Sequence, residues 1–164
     1  MLGLETAQLN GTLLYPQTGR SANQLDTLAA VDVLSPPLSG DADSLPRHAV
    51  PTDTVEPLDT RARAWLHSNC AGCHRPGGPT PSTLDLRHDT ALSGMAACDA
   101  APQYGDLGLV DARLIAPGAP DRSVLLARIT RRDASAMPPL ASLRVDEQGA
   151  ALLSDWIASL ASCD

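Results

Sequence analysis

The residues most able to do chemistry are Cys70, Cys73 and His74 in Cys70-Ala71-Gly72-Cys73-His74. Two thiols two residues apart match the separation of the vinyl groups of haem, so each can form one thioether. The adjacent histidine then lies under the iron and offers an imidazole nitrogen, and the pentapeptide is a signal for covalent haem attachment. Zinc is the first competing reading, but a closed zinc site needs four ligands at suitable spacing. No second Cys-x-x-Cys and no His-x-x-x-His occurs. A thioredoxin-like redox pair is the second, and the flanking sequence lacks its strand–helix pattern.

Iron in an electron carrier takes two protein ligands. The candidates for the second are Met137, Met95, Met1, His48, His67 and His88. Met137 stands out because it precedes Pro138 and Pro139, which restrict the backbone and remove two N–H donors. Such a loop can hold a thioether against iron with little freedom. The competing role for any methionine is filling the core. His74 also needs its second nitrogen held, and a backbone carbonyl often does this. Pro76 or Pro79 can present one, and Pro79 is the favoured choice. Arg75, Arg87, Arg131 and Arg132 can neutralise haem propionates or serve as solvated surface charges. The candidate haem-contacting set is therefore Cys70, Cys73, His74, Met137, Pro79, Arg75 and Trp156, with His74 and Met137 on the metal. No nucleophile or general-base constellation lies near the motif.

The elements that position these groups come from the hydrophobic pattern. The chain has 164 residues, 43% of them apolar, but only 2% aromatic. A haem would add the apolar bulk that so few aromatic rings leave out. Residues 1–20 are polar and rich in turn formers. Ser21 is placed to cap a helix over residues 22–34, with Leu25, Leu28, Ala29 and Val33 on one side. Five prolines between residues 35 and 57 make that stretch an extended linker or wrapping arm. Asp59 is placed to cap a helix over residues 60–69, with Ala62, Trp65 and Leu66 inward, and the haem motif closes it. Residues 75–81 form a loop. Residues 83–87 and 111–115 alternate in polarity and are expected to pair as a small β-ribbon. A short helix is expected over residues 122–129 behind Asp121, then a loop over 131–143. Asp146 caps a last helix over 147–161, with Ala150, Leu153, Trp156, Ile157 and Leu160 at helical spacing. The division is thus an N-terminal arm with one short helix, residues 1–57, and a compact domain, residues 58–164.

Charge and cysteine usage bound the setting. The net charge is -7, and all twelve basic residues are arginine. This argues against nucleic acid as a partner. It points to a redox partner protein that is basic or neutral, or to a second haem domain. Cys98 and Cys163 remain after the motif, an even remainder as a disulfide leaves. Disulfides persist where haem attachment to this motif also takes place, outside the bacterial cytoplasm. No run is long enough to span a membrane. The first residues lack the basic and apolar regions of a signal peptide, so the chain is expected to be a mature or excised piece of a larger precursor.

The order helix, Cys-x-x-Cys-His, loop, Met-Pro-Pro, final helix with Trp156-Ile157 resembles a class I cytochrome c domain over residues 58–160. That resemblance implies a small all-α fold around one covalently bound haem. Its first and last helices would cross, with Trp65 or Leu66 meeting Trp156 and Ile157. A narrower resemblance is to the C-terminal domain of a family of bacterial secreted dihaem c-type cytochromes. It is carried by residues 61–66, by Cys73-His74-Arg75-Pro76-Gly77-Gly78, by Gly105-Asp106-Leu107-Gly108 and by Pro117-Gly118. Gln8-Leu9-Asn10 and Asn23-Gln24-Leu25 resemble the segment joining that family's two haem domains. The resemblance implies a second haem domain with its linker and a first domain upstream. The expected activity is electron transfer in a periplasmic or secreted protein, as a carrier or as the electron-accepting part of a larger oxidoreductase. The alternatives are a peroxidase-like haem enzyme or gas sensor with an open iron position, and a docking module in which haem only stabilises the fold.

Overall fold

A computed structural model describes residues 4–140 and 142–164. The chain divides into two compact units, residues 1–48 and 49–164.

In the first unit, a short helix α1 (Thr6–Leu9) leads into a hairpin of β1 (Thr12–Tyr15) and β2 (Arg20–Asn23). The strands pair antiparallel with Thr12 opposite Asn23 and Tyr15 opposite Arg20. The turn closes through Gly19, whose φ of +65° suits a residue without Cβ. Helix α2 (Gln24–Ala30) follows directly, and its cap is Asn23, whose side chain accepts from the Leu25 N–H at 2.9 Å. The expected cap, Ser21, instead lies in β2. Asn23 Nδ2 also donates to Asn10 Oδ1 at 2.8 Å. The buried Asn10 amide in turn donates to Ala42 O and Leu45 O, at 2.8 and 2.9 Å. Two asparagines thereby fasten the hairpin, α2 and the segment around Ala42–Pro46 into one unit, in the stretch read as an arm with one short helix.

In the second unit, residues 49–57 join the compact part: the Arg61 guanidinium donates to Pro51 O and Glu56 O, each at 3.1 Å. Helix α3 (Leu58–Leu66) continues into one wider π-helical turn, His67–Ala71, that carries Cys70. Helix α4 (Val124–Ile129) is short, and α5 (Glu147–Ser159) is the longest element. Asp146 caps α5, accepting from the Gly149 N–H at 2.9 Å. Helices α3 and α5 pack together, and the core gathers on them: Ala62, Trp65, Leu66, Leu153, Trp156 and Ile157 are all buried. Asp59 sits in the first turn of α3 rather than at its cap, and its carboxylate receives the Trp156 indole N–H. Cys98 and Cys163 are joined as a disulfide, with Cα atoms 5.7 Å apart.

The expectation of an all-α fold is overturned. The chain is 33% helical and contains a two-stranded antiparallel sheet, which makes it a small mixed fold with long irregular connections. The sheet also lies elsewhere than expected. Residues 83–87 form no strand, because the Asp85 N–H goes to Met95 O and the Leu86 N–H to His74 O. Residues 111–115 bond to two other segments, through isolated bridges from Ile115 to Cys98 and from Arg113 to Ser123. Four-residue strands whose side chains are mostly exposed, like β1 and β2, carry no hydrophobic alternation from which to read them. No helix among the described residues is long and apolar enough to cross a membrane.

Candidate functional site

The motif is a compact turn at the end of α3. The Cys73 and His74 N–H groups both donate to Cys70 O, at 3.0 and 2.8 Å. The chain then folds back sharply: the Gly78 N–H donates to Arg75 O, and Gly78 lies directly on Cys73. A Cβ at position 78 would sit 2.2 Å from Cys73 O, so only glycine fits there. From the other side, Leu86 closes on His74 O at 3.0 Å. The backbone of the motif is thus fixed by contacts from residues 78 and 86, while its side chains are left to other partners.

Those side chains are chemically uncommitted. Cys70 and Cys73 are both free thiols, whereas the other two cysteines are bonded to each other. Burial, together with the neighbouring Cys73, pushes the Cys70 thiol up to about 12, so it is protonated at neutral pH. His74 is lowered by burial, which keeps its imidazole neutral and able to donate a lone pair. Its Nδ1 is enclosed and has no hydrogen-bond partner. Two free thiols, a neutral imidazole and a backbone fixed around them fit covalent haem attachment. Among the described residues no group of three or more His, Cys, Asp or Glu side chains is arranged to hold a metal ion.

The other expected contacts divide. Pro79 is exposed and does not supply the carbonyl expected for His74 Nδ1, because the tight turn seats Gly78, not Pro79, against the motif. Arg75 is exposed. Arg87 is not a free cation: it forks onto Asp85, Nε to Oδ1 at 2.8 Å and Nη2 to Oδ2 at 2.6 Å, and holds that carboxyl down at about 2. Trp156 is committed to the helix crossing through Asp59. Among the alternative ligands, Met95 is 0% exposed and packs in the core, the ordinary fate of methionine. His67 Nδ1 accepts the His88 N–H at 3.0 Å, and the His88 ring bonds Asp89. His48 belongs to the first unit, and Met1 lies outside the described residues.

Met137 is half-buried in the loop after α4, and its N–H donates to Arg128 O at 3.0 Å. Residues not anticipated for this region are Gly78, Leu86 and Arg128. Gly78 had a visible signal in Gly77-Gly78 between prolines. Leu86 and Arg128 act through backbone atoms and had none.

No family model, no curated protein and no solved structure matches this chain. The likeness to class I cytochromes c therefore rests on this chain's own residues, of which the motif and the Met-Pro-Pro segment are the most specific.

Proposed function

We propose that this chain is an extracytoplasmic electron-transfer domain holding one haem c, attached through Cys70 and Cys73, with His74 and Met137 as axial ligands. The observation that carries this reading is the sorting of the four cysteines. Cys98 and Cys163 pair across 65 positions, while Cys70 and Cys73, three residues apart, stay as thiols beside His74. Where disulfides persist, two neighbouring thiols left unpaired fit a role in covalent attachment.

Bound haem supplies a one-electron couple at its iron, and a Met/His pair raises that couple relative to two histidines. The chain's own residues supply the rest. Cys70 and Cys73 would tether the ring at the turn that follows α3, His74 would offer a lone pair, and the bonds made by the Gly78 and Leu86 N–H groups hold the backbone of that turn. The proline-stiffened loop limits the positions that the Met137 sulfur can visit. The partner is a redox protein or a second haem domain, and the disulfide accords with a periplasmic or secreted location.

Carbon monoxide binding to the reduced holoprotein tests the assignment. With both axial positions filled, the native protein binds it weakly, and Met137→Ala binds it strongly and loses the sulfur-to-iron charge-transfer band. Strong binding by the native protein would favour an open iron site and an enzyme or sensor instead.

A further inference from the structure

We propose that Arg128 and Arg132 are positioning residues for Met137, clamping its loop from both ends through backbone carbonyls. The proposal rests on Met137 being the second axial ligand.

Within the loop the Ala136 N–H donates to Asp133 O, Arg131 pairs with Asp133, and the Ser142 hydroxyl donates to Pro138 O. Pro138 and Pro139 donate no N–H, and Leu140 and Leu143 are 78% and 95% exposed, so apolar burial does not fix its second half. Arginine side chains take over that task. Arg128, in the last turn of α4, donates from Nη1 to Ser135 O at 2.9 Å and from Nη2 to Tyr104 O at 2.7 Å. Its own carbonyl receives the Met137 N–H at 3.0 Å. One residue thus holds the approach to Met137 by its side chain and Met137 itself by its backbone. Arg132 closes the loop's ends. Its Nη1 donates to Ile129 O and Arg131 O, at 2.9 and 2.5 Å, and its Nη2 to Arg144 O at 2.6 Å. Ile129 ends α4 and Arg144 lies two residues before the α5 cap, so this one guanidinium ties the departure of the loop to its return. A planar, permanently charged fork can serve several carbonyls at fixed angles, which a flexible single-point donor cannot do.

The consequence is a smaller population with the sulfur off the iron. Removing charge-assisted bonds from one end should enlarge that population about tenfold. Carbon monoxide affinity of the reduced holoprotein reads it directly, because apparent affinity scales with the fraction of open iron. Arg128→Met and Arg132→Met keep the apolar stem and remove the donors. Each should raise carbon monoxide affinity about tenfold and lower the temperature at which the ferric charge-transfer band is lost, at unchanged covalent haem content. Arg113→Met is the control, since Arg113 pairs with Asp99 instead of the loop; its affinity should equal the native value. Should the methionine variants fail to accumulate as holoprotein, Arg128→Lys and Arg132→Lys, which reach fewer carbonyls at once, are read the same way. Native affinity in the variants, with the band present in the native protein, would overturn the clamp and leave the ligand assignment standing. A native protein that lacks the band would remove the ligand assignment and the clamp with it.

Discussion

Trp65 donates its indole N–H to the Asp146 carboxylate at 2.8 Å, and so links the end of α3 to the cap of α5. Trp156 makes the reciprocal link, donating to Asp59 in the first turn of α3 at 2.9 Å. Each helix therefore carries a tryptophan near its end that bonds a carboxylate at the other helix's start. The Cys70–His74 motif follows directly from α3, so this crossing is the base on which it stands.

Asp146→Ala should lower stability by roughly 2–4 kcal/mol, because it removes a cap worth about 1 kcal/mol and leaves a buried indole N–H unpaired. Gly149→Ala is the sharper test. Helix propensity alone favours alanine by about 1 kcal/mol. A Cβ at 149, however, would lie 2.1 Å from Trp65 Nε1 and 2.6 Å from Asp146 Oδ2. The steric cost outweighs the propensity gain, so denaturant unfolding of Gly149→Ala should show a loss. A gain in stability would contradict the reported packing of Trp65.

Acid should weaken the fold through identifiable carboxylates. Arg87 holds Asp85 down at about 2, and the Gly149 N–H together with Trp65 lowers Asp146. A carboxyl lowered by folding contributes its stabilisation in full above its unfolded value, and that contribution fades as pH falls toward its folded one. For Asp85 the window runs from about pH 4 down to about 2. The stability difference between the native protein and Asp85→Asn should be constant above that window and shrink inside it. A difference that does not change across the window would contradict the Asp85–Arg87 pairing.

The disulfide should stabilise the second unit. Cys98 and Cys163 are 65 positions apart, and closing a loop of that length is worth about 4 kcal/mol in the chain-entropy model. The Cys98→Ser, Cys163→Ser double variant should unfold at correspondingly lower denaturant. Alkylation of Cys98 and Cys163 in the unreduced, unfolded protein would show that the bond is absent.

At alkaline pH a methionine ligand on ferric iron is open to replacement by a neutral amine. No lysine exists in this chain, and arginine stays protonated. With Met137 as the proposed ligand, hydroxide is the expected replacement, at higher pH than in a lysine-bearing protein. An amine–iron spectrum that survives acetylation of the N-terminus would contradict the ligand set.

Some of this architecture was legible in the residues and some was not. The cap and face of α5 followed from Asp146 and the spacing of Leu153, Trp156 and Ile157, and the pairing of Cys98 with Cys163 followed from the cysteine count. The hairpin did not, because Ser21 and Asn23 are both good caps and only the pairing of residues 12–15 with 20–23 decides between them. The irregular course of residues 83–87 escaped because its bonds run to His74 O and Met95 O. The bonds from Arg128 and Arg132 to carbonyls around the Met137 loop were equally hidden, since backbone acceptors carry no residue-type signature.

Everything proposed for the iron depends on covalent attachment of one haem at Cys70 and Cys73. Expression in a host with c-type maturation, followed by intact mass measurement after acid–acetone extraction, tests it. The expected result is a mass increase of one haem that resists extraction and disappears in the Cys70→Ser, Cys73→Ser double variant. An unchanged polypeptide mass in the native protein, with both motif thiols still open to alkylation, would contradict it.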